Sequence, residues 1–363
     1  MKRISFSYND GSYGIYADTS YFGAILPNEF VDIFYVSKDK ILLKKGTVEL
    51  GQFSKIYLVQ NQSNTSLVLT PKSPVVKARK YKDDFEIFAD KSQLNIVNTV
   101  DINNYLSGVV ESEGGGGQSK EYYKVQAVMS RTYALKYKSK HAAEGFDLCD
   151  RTHCQAYHNM QRFTPLIDSA VLATKNKIIV IGDHQELTDS YFHANCGGQT
   201  CEPQYVWNSK VDYLKSFKDT FCIYTKQAKW TKRIPKERWT NFIVKNYDFP
   251  VDDSTYGVLL YNFNQTERAA FFAHPIFGIP LRDLRQEFNL KSTFFSSHLE
   301  GEEVVLEGRG FGHGVGLCQE GAMKMAKLGY DYQQILEFYF PSVKVVDRNE
   351  LEYFNQKEQE ASF

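Results

Sequence analysis

The 363-residue chain lacks any apolar run long enough to span a bilayer, which excludes a transmembrane helix within this sequence. It also lacks a charge imbalance. Lys+Arg and Asp+Glu both number 43, so no global field draws the protein to nucleic acid or to an anionic membrane, and binding must come from local geometry. Internal repeats and low-complexity linkers are absent, which favours an interwoven structure over beads on a string. The glycine-rich loops have neither Walker-A spacing nor a strand-to-helix Gly-x-Gly-x-x-Gly with an acidic partner, which argues against a nucleotide. The N-terminus, Met1 to Asp10, opens with the charges of a signal peptide but has no apolar h-region. Two readings stay open on that point: a cytoplasmic protein, or one whose export signal lies outside this sequence.

What is abundant is aromatic. With 24 Tyr and 26 Phe, the composition suits β-sheets and also a groove that stacks against sugar rings, sheet packing being the plainer explanation. Residues 1 to about 105 alternate short β-rich runs with turn residues, as in Ile4-Ser-Phe-Ser-Tyr8 before Asn9-Asp-Gly11, and predict an antiparallel scaffold. Ser119 to about Lys140 is the clearest helix, with Ser119 at the N-cap and Val125, Val128, Met129, Thr132 and Leu135 at the spacing of one buried face. Strands are expected at Lys177–Ile181, over 187–195 and near Thr293 and Val304. Helices are expected over 237–247, 280–288 and from about Leu317 to Lys327. The fold class is therefore α+β, an antiparallel β-rich scaffold with a few helices, divided into a β-rich part at 1–95, a core at 96–348 and a polar tail at 349–363.

His141, Cys149, His153 and Cys154 follow the clear helix directly. Two thiolates and two imidazoles at this spacing predict a structural zinc site with a closed tetrahedral shell, against the blander reading of two buried thiols and two solvent histidines. Cys196, Cys201, Cys222 and Cys318 remain. Cys196 and Cys201 alone are too few ligands for a second metal, so free thiols or a disulfide are expected there.

Three glycine-rich elements recur at the ends of regular structure: Glu113 with Gly114–Gly117, Asn195-Cys-Gly-Gly-Gln-Thr200, and the loop around His313. Their backbone N–H groups suit sugar hydroxyls and amides in a neutral chain. Several blocks then resemble the stage II sporulation protein D (SpoIID/LytB) family. They are Tyr105-Leu-Ser-Gly-Val-Val-Glu-Ser-Glu113, Lys124 to Leu135, His153-Cys-Gln-Ala-Tyr157, Ala194 to Thr200 with Val206-Trp207, and Gly310 to Ala322, in the family's order over about residues 95 to 342.

The resemblance implies an interwoven SpoIID-like core and a peptidoglycan lytic transglycosylase at the cell envelope, with Glu113 as catalyst. One carboxyl suffices when the 6-hydroxyl of muramic acid is the nucleophile, whereas ordinary glycosidases use two. Asn195, Gly197, Gly198, Thr200, His313 and Gln319 fall in the blocks that would contact the glycan, and His193 lies just before one of them, where it would point into the groove from a strand end. The plainer readings are an ordinary strand residue for His193 and a partner for a buried carbonyl for His313, and Arg131 is expected to be a structural hydrogen-bond hub. The implied partners are glycan strands and, in an alternative reading as a non-catalytic amidase enhancer, a cell-wall amidase. The chain departs from the family at Gly114 in place of Met, Cys318 in place of Ser and Glu320 in place of Trp, which puts an apolar wall and a stacking ring in doubt. A helix N-terminus and exposed glycine N–H groups near Glu113 are expected to lower its pKa. Glu111 would raise it if the two carboxylates shared a face, as residues i and i+2 of an extended chain do.

Overall fold

The computed structural model describes residues 1–351; the tail expected over 349–363 lies outside the described residues from position 352 onward. The chain divides into two compact units, the first ending at Lys175 and the second starting at Asn176.

In the first unit, two antiparallel sheets share one core. The six-stranded sheet runs, in spatial order, Val48–Phe53, Lys40–Lys45, Phe30–Ser37, Arg3–Asp10, Ser66–Ser73 and Arg79–Lys82. The five-stranded sheet runs Gln93–Thr99, Asp84–Asp90, Lys55–Gln60, Tyr13–Ala17 and Ser20–Ile25. The period of two in the sequence explains the layering: Ile4, Phe6, Ile33 and Leu43 from one sheet and Ile15, Ile56, Leu58 and Ile87 from the other are buried in a common cluster.

Three helices complete this unit: α1 (Ile102–Gly114), α2 (Lys120–Lys136) and α3 (Leu166–Ala173), packed on one another. Asp101 caps α1 by accepting from the N–H groups of Asn103 and Asn104, and Val109 carries the helix into the sheet core. Ser119 caps α2 as expected, accepting from Tyr122 N–H. The helix stops at Lys136 rather than near 140, and Leu135 is only half-buried. Beyond it the chain turns, with Ser139 at φ +74° and the Lys140 N–H bonded to Tyr137 O. That turn brings His141 back against Phe146. Arg131 is buried and donates to Val171 O on α3, a structural link.

The second unit holds α4 (Gln204–Trp207), α5 (Lys236–Asn246), α6 (Leu281–Glu287), α7 (Gln319–Lys327) and α8 (Tyr332–Tyr339). Its larger core gathers Trp230, Trp239, Phe272, Phe288, Phe295 and Leu306 beneath a three-stranded antiparallel sheet, Lys229–Pro235, Glu303–Arg309 and Phe295–Glu300. The expected strand over 187–195 is mostly irregular and keeps only Glu186–Leu187 and Phe192–His193. The latter pairs in parallel with Leu317–Cys318, so the segment before α7 is a short strand rather than its first turn.

Candidate active site and metal-ligand cluster

Glu113 lies in the last turn of α1. Its Oε1 accepts from the Ala156 N–H at 2.8 Å, and the side chain is half-buried. Desolvation raises its pKa above the ordinary glutamate value, outweighing the Ala156 hydrogen bond and the nearby His158, which pull the other way. The expected lowering by glycine N–H groups is thus corrected, because desolvation of the carboxylate dominates.

Glu111 is also corrected. In a helix, residues two apart point about 200° from one another around the axis, so the shared face of an extended chain does not apply. The Glu111 carboxylate instead accepts from three successive backbone N–H groups, those of Arg162, Phe163 and Thr164, at 2.9, 2.9 and 3.0 Å. It anchors the loop leading to α3.

The segment that meets Glu113 is held close by a glycine. At Gly108 on α1 a Cβ would stand 2.4 Å from Asn159 O and 2.5 Å from the Tyr157 ring, so only glycine lets residues 157–159 cross the helix there. At Gly114 a Cβ would meet the Tyr122 ring at 3.1 Å. The fully buried Tyr122 occupies the space that a longer side chain at 114 would need, and it supplies an apolar surface at this end of α1.

The four expected metal ligands do come together. Cys154 Sγ lies 3.5 Å from His141 Nε2 and 3.7 Å from His153 Nδ1, and Cys149 Sγ lies 3.7 Å from His153 Nδ1. All four ligand atoms fall within 4.8 Å of one another, so the group could hold a metal ion. The donor set fits zinc, and the outer contacts fit as well: His141 Nδ1 meets Glu144 Oε1 at 2.7 Å, the carboxylate–histidine arrangement that fixes a ligating imidazole. The chain folds back, and Ala156, two residues after Cys154, is the residue that hydrogen-bonds Glu113.

The remaining expected residues belong to the second unit, each with a distinct setting. Asn195 is fully buried: its amide donates to Cys222 O, Thr225 Oγ1 and Glu320 Oε2, and its Oδ1 accepts from Gly197 N–H. Thr200 is equally buried and bonds the 215–217 backbone. These two shape the loop rather than present polar atoms at a surface. Glu320, where a stacking Trp was expected by resemblance, is a hydrogen-bond hub that also accepts from Thr225 Oγ1 and the Gln227 N–H.

Gly197 and Gly198 line a cleft of about 1040 Å³ together with Gln199, Phe271, Arg268 and Arg309. His193 and Gln319 are buried. His193 Nδ1 faces Val315 O at 3.1 Å, and burial holds its pKa well below the ordinary histidine value. His313 Nδ1 accepts from Val315 N–H, and burial pushes that ring down to about 4, so it is neutral at physiological pH, with Nε2 as its N–H. Trp207 covers His313 at 5.1 Å between ring centroids and meets Tyr191 at 4.7 Å, leaving a partly exposed aromatic surface. The sequence signal for that surface was the Val206-Trp207 pair; Tyr191 carried none.

Comparison with known proteins bears on the whole. The pattern of the stage II sporulation protein family, SpoIID, matches residues 90–181. An uncharacterised protein of Brachyspira hyodysenteriae is 30% identical over 259 residues, covering 70% of this chain and 69% of that protein. The stage II sporulation protein D of Bacillus subtilis is 27% identical over 276 residues, covering 69% and 75%. The amidase enhancer of the same organism is 27% identical over 286 residues, covering 65% of this chain and 39% of its own length.

Proposed function

The chain belongs to the stage II sporulation protein D family, and from that premise we propose that it is a cell-envelope lytic transglycosylase with Glu113 as its single general acid and base. The observation that carries this reading is the state of Glu113. Its carboxyl is half-buried, accepts from the Ala156 N–H and is shifted by desolvation toward the protonated form, the condition of a general acid.

Protonated Glu113 gives its proton to the glycosidic oxygen as the bond from the muramic anomeric carbon breaks. The resulting carboxylate takes the proton of the muramic 6-hydroxyl as that oxygen bonds to the same carbon. The product is a 1,6-anhydro sugar, no water is consumed, and the catalyst returns to its starting form. Because the nucleophile is internal to the substrate, Glu111 has no part in the chemistry, in keeping with its three backbone partners.

The His141, Cys149, His153 and Cys154 cluster would hold a structural zinc, with no open position for chemistry. What it would do is fix Cys154–Ala156 so that the Ala156 N–H stays aimed at Glu113. In the second unit, Gly197 and Gly198 would meet glycan hydroxyls and amides at the cleft, and Trp207 with Tyr191 would stack on sugar faces. His193, Asn195, Thr200, His313 and Gln319 would support these surfaces from behind.

The test is incubation with glycan strands stripped of stem peptides, followed by mass spectrometry. Anhydro-muramic ends, lighter than hydrolytic ends by one water, support the reading; hydrolytic ends or intact strands contradict it. A second reading, glycan binding that enhances a wall amidase, is favoured by the match to a protein named amidase enhancer. It predicts retention on glycan and stimulation of an amidase with no anhydro product.

A further inference from the structure

The cysteines that remain outside the first cluster do not sort as their spacing suggests. Cys201 stands apart, while Cys196, Cys222 and Cys318 converge with Asp219, and all four are buried with ligand atoms within 4.8 Å of one another. We propose that Cys196, Asp219, Cys222 and Cys318 form a second zinc site, closed and structural, within the second unit.

The distances suit this. Cys196 Sγ lies 3.3 Å from Cys222 Sγ and 3.3 Å from Asp219 Oδ2. A tetrahedron with bonds of about 2.3 Å has edges of about 3.8 Å, so small outward shifts admit the ion. A disulfide would need the two sulfurs at about 2.05 Å. Asp219 and Cys222 are separated by two residues, the spacing of a metal-binding knuckle.

An independent observation points to a cation. Asp219 is a fully buried carboxylate whose oxygens meet Tyr339 Oη, the Phe221 N–H and the Cys196 thiol, and no cationic side chain among the described residues. Burying such a charge without a counter-charge is costly, and a divalent ion supplies one. The surroundings also suit anionic sulfur. Cys318 Sγ accepts from the Cys196 N–H at 3.3 Å and, as the N-cap of α7, from the Gly321 N–H at 3.4 Å. A Cβ at Gly321 would strike Tyr339 Oη at 2.1 Å and Asp219 Oδ2 at 2.7 Å, so glycine there keeps room for the carboxylate and its phenol partner. This is the carboxylate orientation that ligands receive from their outer contacts.

The consequence is mechanical. The ion would tie the loop carrying Gly197 and Gly198 to the 219–222 turn and to the start of α7, three segments far apart in sequence.

The test uses the full chain grown with zinc and purified without chelator. Elemental analysis should lose one zinc per chain in Cys222→Ser and in Asp219→Asn, and should keep this zinc in a Cys149→Ser/Cys154→Ser double variant. The wild-type count is two if both clusters bind and one if only the second does, so failure of the first cluster leaves this result readable. X-ray absorption on the unaltered chain requires no variant to fold: two loaded sites give a mean of about 2.5 sulfur ligands per zinc, and the second site alone about 3, where the first alone gives about 2. A zinc count unchanged in Cys222→Ser, a mean of about 2 sulfurs, or a Cys196–Cys222 disulfide in the zinc-grown protein would overturn the proposal.

Discussion

Glu111 and Glu113 stand two residues apart on one helix and have opposite surroundings. Glu111 is met by three backbone N–H groups, which complete a structural anchor. Glu113 accepts from the Ala156 N–H, and desolvation of its carboxylate favours the protonated form. Identity and neighbourhood in sequence are nearly the same, so the difference in setting comes from what the fold brings to each carboxylate. Helical geometry makes that possible by turning the two side chains apart.

The comparison is open to attack at several points. The largest expected effect is on catalysis: Glu113→Gln should lower turnover by about 10³-fold, the scale of a lost general acid and base, in an assay of anhydro-muramic ends. Next in size is the anchor. Glu111→Ala should cost about 3 kcal/mol of stability in denaturant titrations, the scale of hydrogen bonds to a charged group, while the folded fraction keeps its turnover within a few-fold. A third probe sits one step further out: Glu144→Gln should weaken zinc at the first cluster by about tenfold in competition with a chelator, through the His141 contact.

The smallest effect has the sharpest sign. A carboxyl whose folded pKa is raised stabilises the fold below its unfolded value, and this contribution is lost as pH rises through the folded value. Glu113→Gln should therefore be more stable than the parent at neutral pH, with the gap closing as pH falls below the ordinary glutamate pKa. Equal or lower stability of Glu113→Gln at neutral pH would contradict the desolvated setting assigned to that residue.

Much of this was legible beforehand, in proportion to how local it is. The strand alternation around Ile4 and Phe6, the Ser119 cap and the His141/Cys149/His153/Cys154 group all depend on residues within a few turns of one another, and all were visible in spacing. The α1 helix was missed because a run of Asn, Ser and Gly has weak helix propensity; Asp101 capping and burial of Leu106, Val109 and Val110 outweigh it. The partners of Glu111 and Glu113 lie 43 to 53 residues away along the chain, and no spacing rule reaches that far. The second cysteine group is the extreme case. Asp219 and Cys222 had a readable interval, but Cys196 and Cys318 join them only through folding.

The central claim is that Glu113 alone carries the proton in both directions. Its most direct test compares the parent, Glu113→Gln and Glu111→Gln, each confirmed folded, on peptide-free glycan strands with mass spectrometry of the ends. The account predicts anhydro-muramic ends from the parent and from Glu111→Gln, and almost none from Glu113→Gln. Equal product from Glu113→Gln and the parent, or loss only in Glu111→Gln, would contradict it.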